Sequence, residues 1–105
     1  MKIAIYPGSF DPITKGHLDV LKTGAGIFDK VIIAVSKNSA KQGFLTVEER
    51  VDLIKACVSD IENVEVDAFE GLTVQYAKEK GAKKCLRYTL PSNLPMVLYT
   101  ITIQH

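Results

Sequence analysis

From residue 2 to residue 87, short apolar runs alternate with stretches of helical periodicity, and the connections between them are brief. Residues 2–6 (KIAIY) form a run that stops at the breaker pair Pro7-Gly8. Leu18, Leu21, Ala25 and Phe28 then recur at three- and four-residue spacing, which predicts a helix over 17–28 that Gly24 and Gly26 weaken toward its end. Residues 31–35 (VIIAV) are a continuous apolar run of the kind found in strands covered on both faces. Thr46 and Glu49 form a capping box ahead of Val47, Val51, Leu53, Ile54 and Cys57, so a second helix starts there. A strand over 63–67, a helix over 71–80 and a strand over 83–87 complete a β-α-β-α-β-α-β order. Short crossovers of one hand between parallel strands leave few topologies for such a chain. The expectation is an α/β fold: a single doubly wound parallel sheet with helices on both faces.

The chain has 105 residues, enough for one domain, and 47% of them are apolar, which excludes a disordered or low-complexity segment. Thirteen basic residues face 12 acidic ones, and a net charge of +1 leaves no electrostatic footprint for nucleic acid or an anionic membrane surface. The longest apolar stretches fall well short of the roughly 20 residues that span a bilayer. Met1 runs directly into a strand-like segment without a signal-peptide pattern, so a cytoplasmic location is expected. Cys57 and Cys85 lie in different predicted elements with only His17 and His105 as further soft ligands, and are read as buried, reduced thiols. The tail changes character. Residues 88–95 (YTLPSNLP) carry two prolines and no helical period, and the β-branched, aromatic run 97–103 (VLYTITI) reads as a possible edge strand. The domain reading is therefore a core over 1–87 followed by an atypical tail over 88–105.

In an open parallel sheet, ligands bind beyond the carboxyl ends of the strands. The P-G-S-F-D-P loop after the first strand, the loop over 36–45 with Lys37 and Lys41, and Arg87 at the end of the fourth strand all fall on that edge. Gly8 removes a side chain where the strand ends, so backbone N–H groups there can approach a phosphate, and Ser9 adds a hydroxyl donor. Gly16-His17 opens the following helix, placing an imidazole where the helix dipole favours an anion and neutral histidine. A neutral imidazole can still donate one N–H to a phosphate oxygen. Neither a serine-histidine-acid arrangement nor a G-x-x-x-x-G-K-[ST] loop is present. Asp11 is read as a turn residue bonding its own backbone, Glu48, Glu49 and Arg50 as capping and flanking residues, and Phe69 and Tyr76 as core. On spacing alone, Lys41 reads as a solvated lysine and Arg87 as a possible salt-bridge partner.

Y-P-G-S-F-D-P-I-T-K-G-H (6–17), with F-L-T-V-E-E-R (44–50), N-V-E-V (63–66) and the segments over 70–78, resembles the bacterial phosphopantetheine adenylyltransferases. These belong to the nucleotidyltransferase superfamily that carries an (H/T)-x-G-H motif. The resemblance covers residues 1–87 and implies a Rossmann-like fold. It further implies transfer of AMP from ATP to 4′-phosphopantetheine, giving dephospho-coenzyme A and pyrophosphate by direct in-line attack. Magnesium would accompany ATP. Carried over by position, His17 would bond the α-phosphate in the transition state, and Ser9 with the backbone at Phe10 would contact the phosphates of both substrates. Lys41 and Arg87 would hold the attacking phosphate, and Thr73 would lie near the pantetheine arm. A homo-oligomer is implied as well, since the family forms hexamers.

After Arg87 the sequence leaves the family pattern. Tyr88 and Leu90 stand where the family carries a glycine and a second arginine, and the family's serine-rich ATP-phosphate motif has no counterpart here. The chain is shortened relative to the family. The alternative expectation is thus a catalytically impaired member that only binds phosphopantetheine or a similar phosphate ligand. Nicotinate-mononucleotide adenylyltransferases and glycerol-phosphate cytidylyltransferases, which often carry H-x-G-H in place of T-K-G-H and lack F-L-T-V-E-E-R, resemble it less.

Overall fold

In a computed structural model, which describes residues 1–37, 45–89 and 97–103, the chain runs β1 (Ile3–Gly8), α1 (Lys15–Ile27), β2 (Lys30–Ser36), α2 (Val47–Cys57), β3 (Val64–Phe69), α3 (Thr73–Lys80), β4 (Lys84–Thr89) and β5 (Val97–Thr102). The alternation read from periodicity is present, with boundaries shifted by a few residues. Helix α1 starts at Lys15, ahead of the expected 17, because Thr14 caps it and its side chain accepts from the His17 N–H. Helix α2 starts where its capping box places it: the Thr46 hydroxyl accepts from the Glu49 N–H at 3.1 Å, and the Glu49 carboxylate accepts from the Thr46 N–H at 2.9 Å.

The strands form one five-stranded sheet in the order β3-β2-β1-β4-β5. β1 pairs in parallel with β2 from Ile3–Lys30 to Gly8–Val35, and with β4 at Ala4–Lys84 and Ile5–Cys85. β5 runs antiparallel to β4, so the sheet is mostly rather than wholly parallel. Alternation along the central strands sorts the core into two layers. Ala4, Tyr6, Val31, Ile33 and Val35 face Val20 and Leu21 of α1 and Ile54 of α2. Ile5, Ile32 and Ala34 face Tyr76 and Ala77 of α3. On that second side Phe69 stacks on Tyr76 with ring centroids 4.7 Å apart, and the Tyr76 hydroxyl donates to Asp67 at 2.7 Å. Phe69 and Tyr76 are core residues, as their sequence context suggests.

Two expectations need correction. Cys85 is buried but Cys57 is only half-buried, at the last residue of α2 where the helix ends; both are free thiols. Gly24 does more than weaken α1. It is buried, and a Cβ there would stand 2.7 Å from Leu86 Cδ1, so its hydrogen lets the helix settle onto β4. Among the described residues, no helix is long and apolar enough to cross a membrane.

The two helical glycines should respond oppositely to alanine. At Gly26 an added Cβ meets nothing within 4 Å, so Gly26→Ala should raise unfolding free energy by about 0.5–1 kcal/mol through helix propensity. At Gly24 the same gain is offset by overpacking against a Leu86 with no exposed surface, and Gly24→Ala should lower stability by about 1 kcal/mol. Urea denaturation of the pair checks this. Equal stabilisation by both substitutions would show that Leu86 moves aside without cost.

Candidate functional site

The strand order reverses beside β1, from which the chain moves out to β2 and β3 and then returns on the far side as β4. Ligand crevices in open α/β sheets form at such a point. The β1–β4 ladder stops at Ile5–Cys85, whereas β1 stays paired with β2 through Gly8. Pro7, which has no N–H to donate, lies where β1 and β4 part. A pocket of about 430 Å³ opens there, lined by residues 6–12, His17 and Arg87.

The loop after β1 is shaped by its own aromatic residue. Phe10 is 3% exposed and holds a left-handed backbone with φ 48°, folding its ring back beneath the strand end. That ring lies so close that a Cβ on Gly8 would come within 3.1 Å of it, which accounts for the glycine. The ring also meets Tyr6 edge-on at 5.3 Å and His17 edge-on at 5.0 Å between centroids. Phe10 therefore contributes backbone to the pocket and side chain to the core, while Ser9 is exposed at the rim.

His17 is the third residue of α1, and its ring is bound to the helix cap. Its Nδ1 accepts from the Thr14 N–H at 2.9 Å and lies 3.1 Å from the Thr14 hydroxyl. A backbone N–H can only donate, so Nδ1 carries no proton and the neutral ring bears its hydrogen on Nε2. Partial burial lowers the His17 pKa below its ordinary 6.5. These two effects agree in keeping a neutral imidazole that donates from Nε2. Arg87, half-buried on β4, pairs with no carboxylate among the described residues, so the salt-bridge reading is corrected and its charge is available to the pocket. Burial pushes the neighbouring Cys85 thiol up, and the Arg87 charge works against that shift.

The structure thus brings Ser9, Phe10, His17 and Arg87 to one pocket. Thr73 opens α3, is half-buried, and is not among that pocket's lining residues. Lys41 lies outside the described residues. Asp11 departs from the turn role expected of it: its carboxylate accepts from the Leu45 N–H at 3.0 Å, reaching the segment that leads into α2. Arg50 departs further. It is 1% exposed, and its guanidinium donates to the carbonyls of Ser9 at 2.9 Å, Leu45 at 3.2 Å and Thr46 at 3.3 Å. The signal for it was its place on the stripe of Val47, Val51, Ile54 and Val58, where a charge is out of keeping with its neighbours. No cluster of three or more metal-binding side chains occurs among the described residues.

The sequence profile of the family described as Cytidylyltransferase-like matches residues 5–94. The phosphopantetheine adenylyltransferase of Desulforudis audaxviator is 52% identical over 87 residues, covering 83% of this chain and 53% of the relative. That of Lachnoclostridium phytofermentans is 58% identical over 87 residues, with shares of 83% and 53%. The chain therefore spans about half the length of the curated relatives it matches. Among solved structures, the NadR protein in complex with NAD and AMP-PNP superposes with a TM-score of 0.58 at 30% identity, over 66% of this chain and 20% of that one. A bifunctional NMN adenylyltransferase/ADP ribose pyrophosphatase from Francisella tularensis, complexed with AMP and Mn ion, gives a TM-score of 0.55 over 75% and 25% of the chains. At 21% identity it speaks for the fold alone.

The His17 geometry makes a pH prediction with a definite sign. A histidine whose folded pKa is depressed binds fewer protons folded than unfolded, so its contribution to stability is complete above about 6.5 and declines as pH falls through the folded value. Imidazole ¹⁵N spectra should show the Nε2–H tautomer at neutral pH and a His17 midpoint below 6.5. A midpoint above 6.5, or an Nδ1–H tautomer, would contradict the Thr14 bond.

Proposed function

The chain belongs to the cytidylyltransferase-like family, and from that membership we propose that it transfers AMP from ATP to 4′-phosphopantetheine, yielding dephospho-coenzyme A and pyrophosphate. The observation that carries this reading is that His17, whose Nδ1 accepts from the Thr14 N–H and so leaves the ring proton on Nε2, lines one pocket with Ser9, Phe10 and Arg87. In the proposed reaction an oxygen of the 4′-phosphate attacks the α-phosphorus of ATP as the bond to the bridging oxygen of pyrophosphate breaks. Catalysis then rests on positioning and charge stabilisation, with no covalent intermediate on the protein. A neutral imidazole suits such a role, since it donates a hydrogen bond to the α-phosphate as charge builds without competing as a nucleophile.

Ser9 and the Phe10 N–H bind phosphate oxygens in this scheme. Arg87, with Lys41 from the segment over 36–45 of the sequence, holds the attacking phosphate and relieves its repulsion from ATP. Thr73 serves the pantetheine arm. Of the described residues lining the pocket, Asp11 is the sole carboxylate, and one of its oxygens is already committed to the Leu45 N–H. Such a site suits a magnesium ion carried largely by ATP phosphates and water, as that ion prefers. When bound, the ion neutralises phosphate charge.

The second reading, a phosphopantetheine-binding chain without turnover, is favoured by Tyr88 and Leu90, which replace the glycine and second arginine of the family pattern. One experiment separates the two. Pyrophosphate release from magnesium-ATP should require 4′-phosphopantetheine, and His17→Ala should reduce kcat about 10²–10³-fold while leaving substrate binding much less affected. No release above the variant, with calorimetric binding of 4′-phosphopantetheine retained, would establish the binding-only chain. Loss of both would defeat either reading.

A further inference from the structure

Arg50 has no part in the reading above, yet among the described residues it is the largest side chain that is fully buried, and it reaches from α2 to the pocket loop. Three of its contacts are to carbonyl oxygens, on Ser9, Leu45 and Thr46. Its Nη2 is buried without a partner among the described residues, and none of their carboxylates forms an ion pair with it. A buried cation held only by carbonyls is costly to keep, and ordinary core packing would be better served by an apolar residue. What the guanidinium fixes is one peptide plane. The Ser9–Phe10 bond is not among the cis peptides, and in a trans peptide the C=O and N–H point in opposite directions. Drawing the Ser9 carbonyl inward to Arg50 therefore turns the Phe10 N–H outward, and that N–H makes no hydrogen bond among the described residues. The Leu45 N–H bond to Asp11 secures the same loop one residue further on.

We propose that Arg50 is the positioning residue of the phosphate pocket: by holding the Ser9 carbonyl it presents the Phe10 N–H as an anion donor and sets a charge, uncompensated among the described residues, beneath it. The role rests on the phosphate-binding reading and adds to it a residue that touches no substrate. Lysine at this position keeps a charge but has no planar fork with which to hold separate carbonyls.

The test is an amide and imidazole NMR titration of the whole chain with inorganic pyrophosphate. In the wild type, the Phe10 N–H and His17 Nε2–H signals should both move. In Arg50→Lys, pyrophosphate should bind about tenfold more weakly, the Phe10 response should disappear, and the His17 response should persist at saturation. A merely structural loss would shrink both responses together in proportion to the unfolded fraction, and that result would overturn the proposal. So would an unchanged Phe10 response in Arg50→Lys. Should the variant fail to fold, the wild type alone decides: a His17 response without one at Phe10 overturns the role of Arg50. A wild type in which neither signal moves removes the phosphate pocket itself, and the role of Arg50 with it.

Discussion

Parallel pairing of β1 on both of its edges is the constraint on which the rest of the molecule depends. A strand flanked on each side and covered on each face must be apolar throughout, and Ala4 and Ile5 have no exposed surface. The same pairing fixes where the chain turns back on itself, since β2 and β3 must be laid down on one side before β4 closes the other. The pocket then opens at the end where β1 runs past its β4 partner. Pro7, Gly8 and the Phe10 wedge do not create that crevice. They use it, by ending the strand with no side chain in the way and a backbone turned out of line.

One sealed guanidinium lies beneath the crevice. With it, a half-buried histidine bound to its own helix cap and a half-buried carboxylate reaching across to the α2 lead tie residues 9–17 in place. Hydrophobic packing alone would leave such a loop free to choose among conformations of similar energy. Directional bonds to particular carbonyl and amide groups remove that choice, at a cost in burial that the two apolar layers elsewhere can bear.

What sequence reading captured and missed follows from the range of the contacts. The Thr46–Glu49 box was legible because both partners lie within one helical turn, and β2 because an unbroken apolar run has few alternatives. The strand-end cluster of Ser9, His17 and Arg87 could be assembled from topology, since parallel strands of one hand bring their carboxyl ends to a common edge. Arg50 and Asp11 were not legible in the same way. The bonds that tie them to distant parts of the chain reach across 41 positions to Ser9 and 34 to Leu45, and no local period records a bond of that span. The place of Gly24 against Leu86 was hidden for the same reason, and a glycine in a helix otherwise reads only as a weakness.

The two faces of the sheet are unequally covered. One carries α1 and α2, of 13 and 11 residues; the other, among the described residues, carries only the eight-residue α3. A helix that short does not persist unaided, and α3 lacks a side-chain cap at its start. Its docking rests on Tyr76 and Ala77, on the Phe69 stack and on the Asp67 bond. The molecule therefore contains a natural line of cleavage. Amide protons of α3 should trade with solvent through an opening that leaves β1, β2 and the α1–α2 layer intact, so its cooperative units divide along the plane of the sheet.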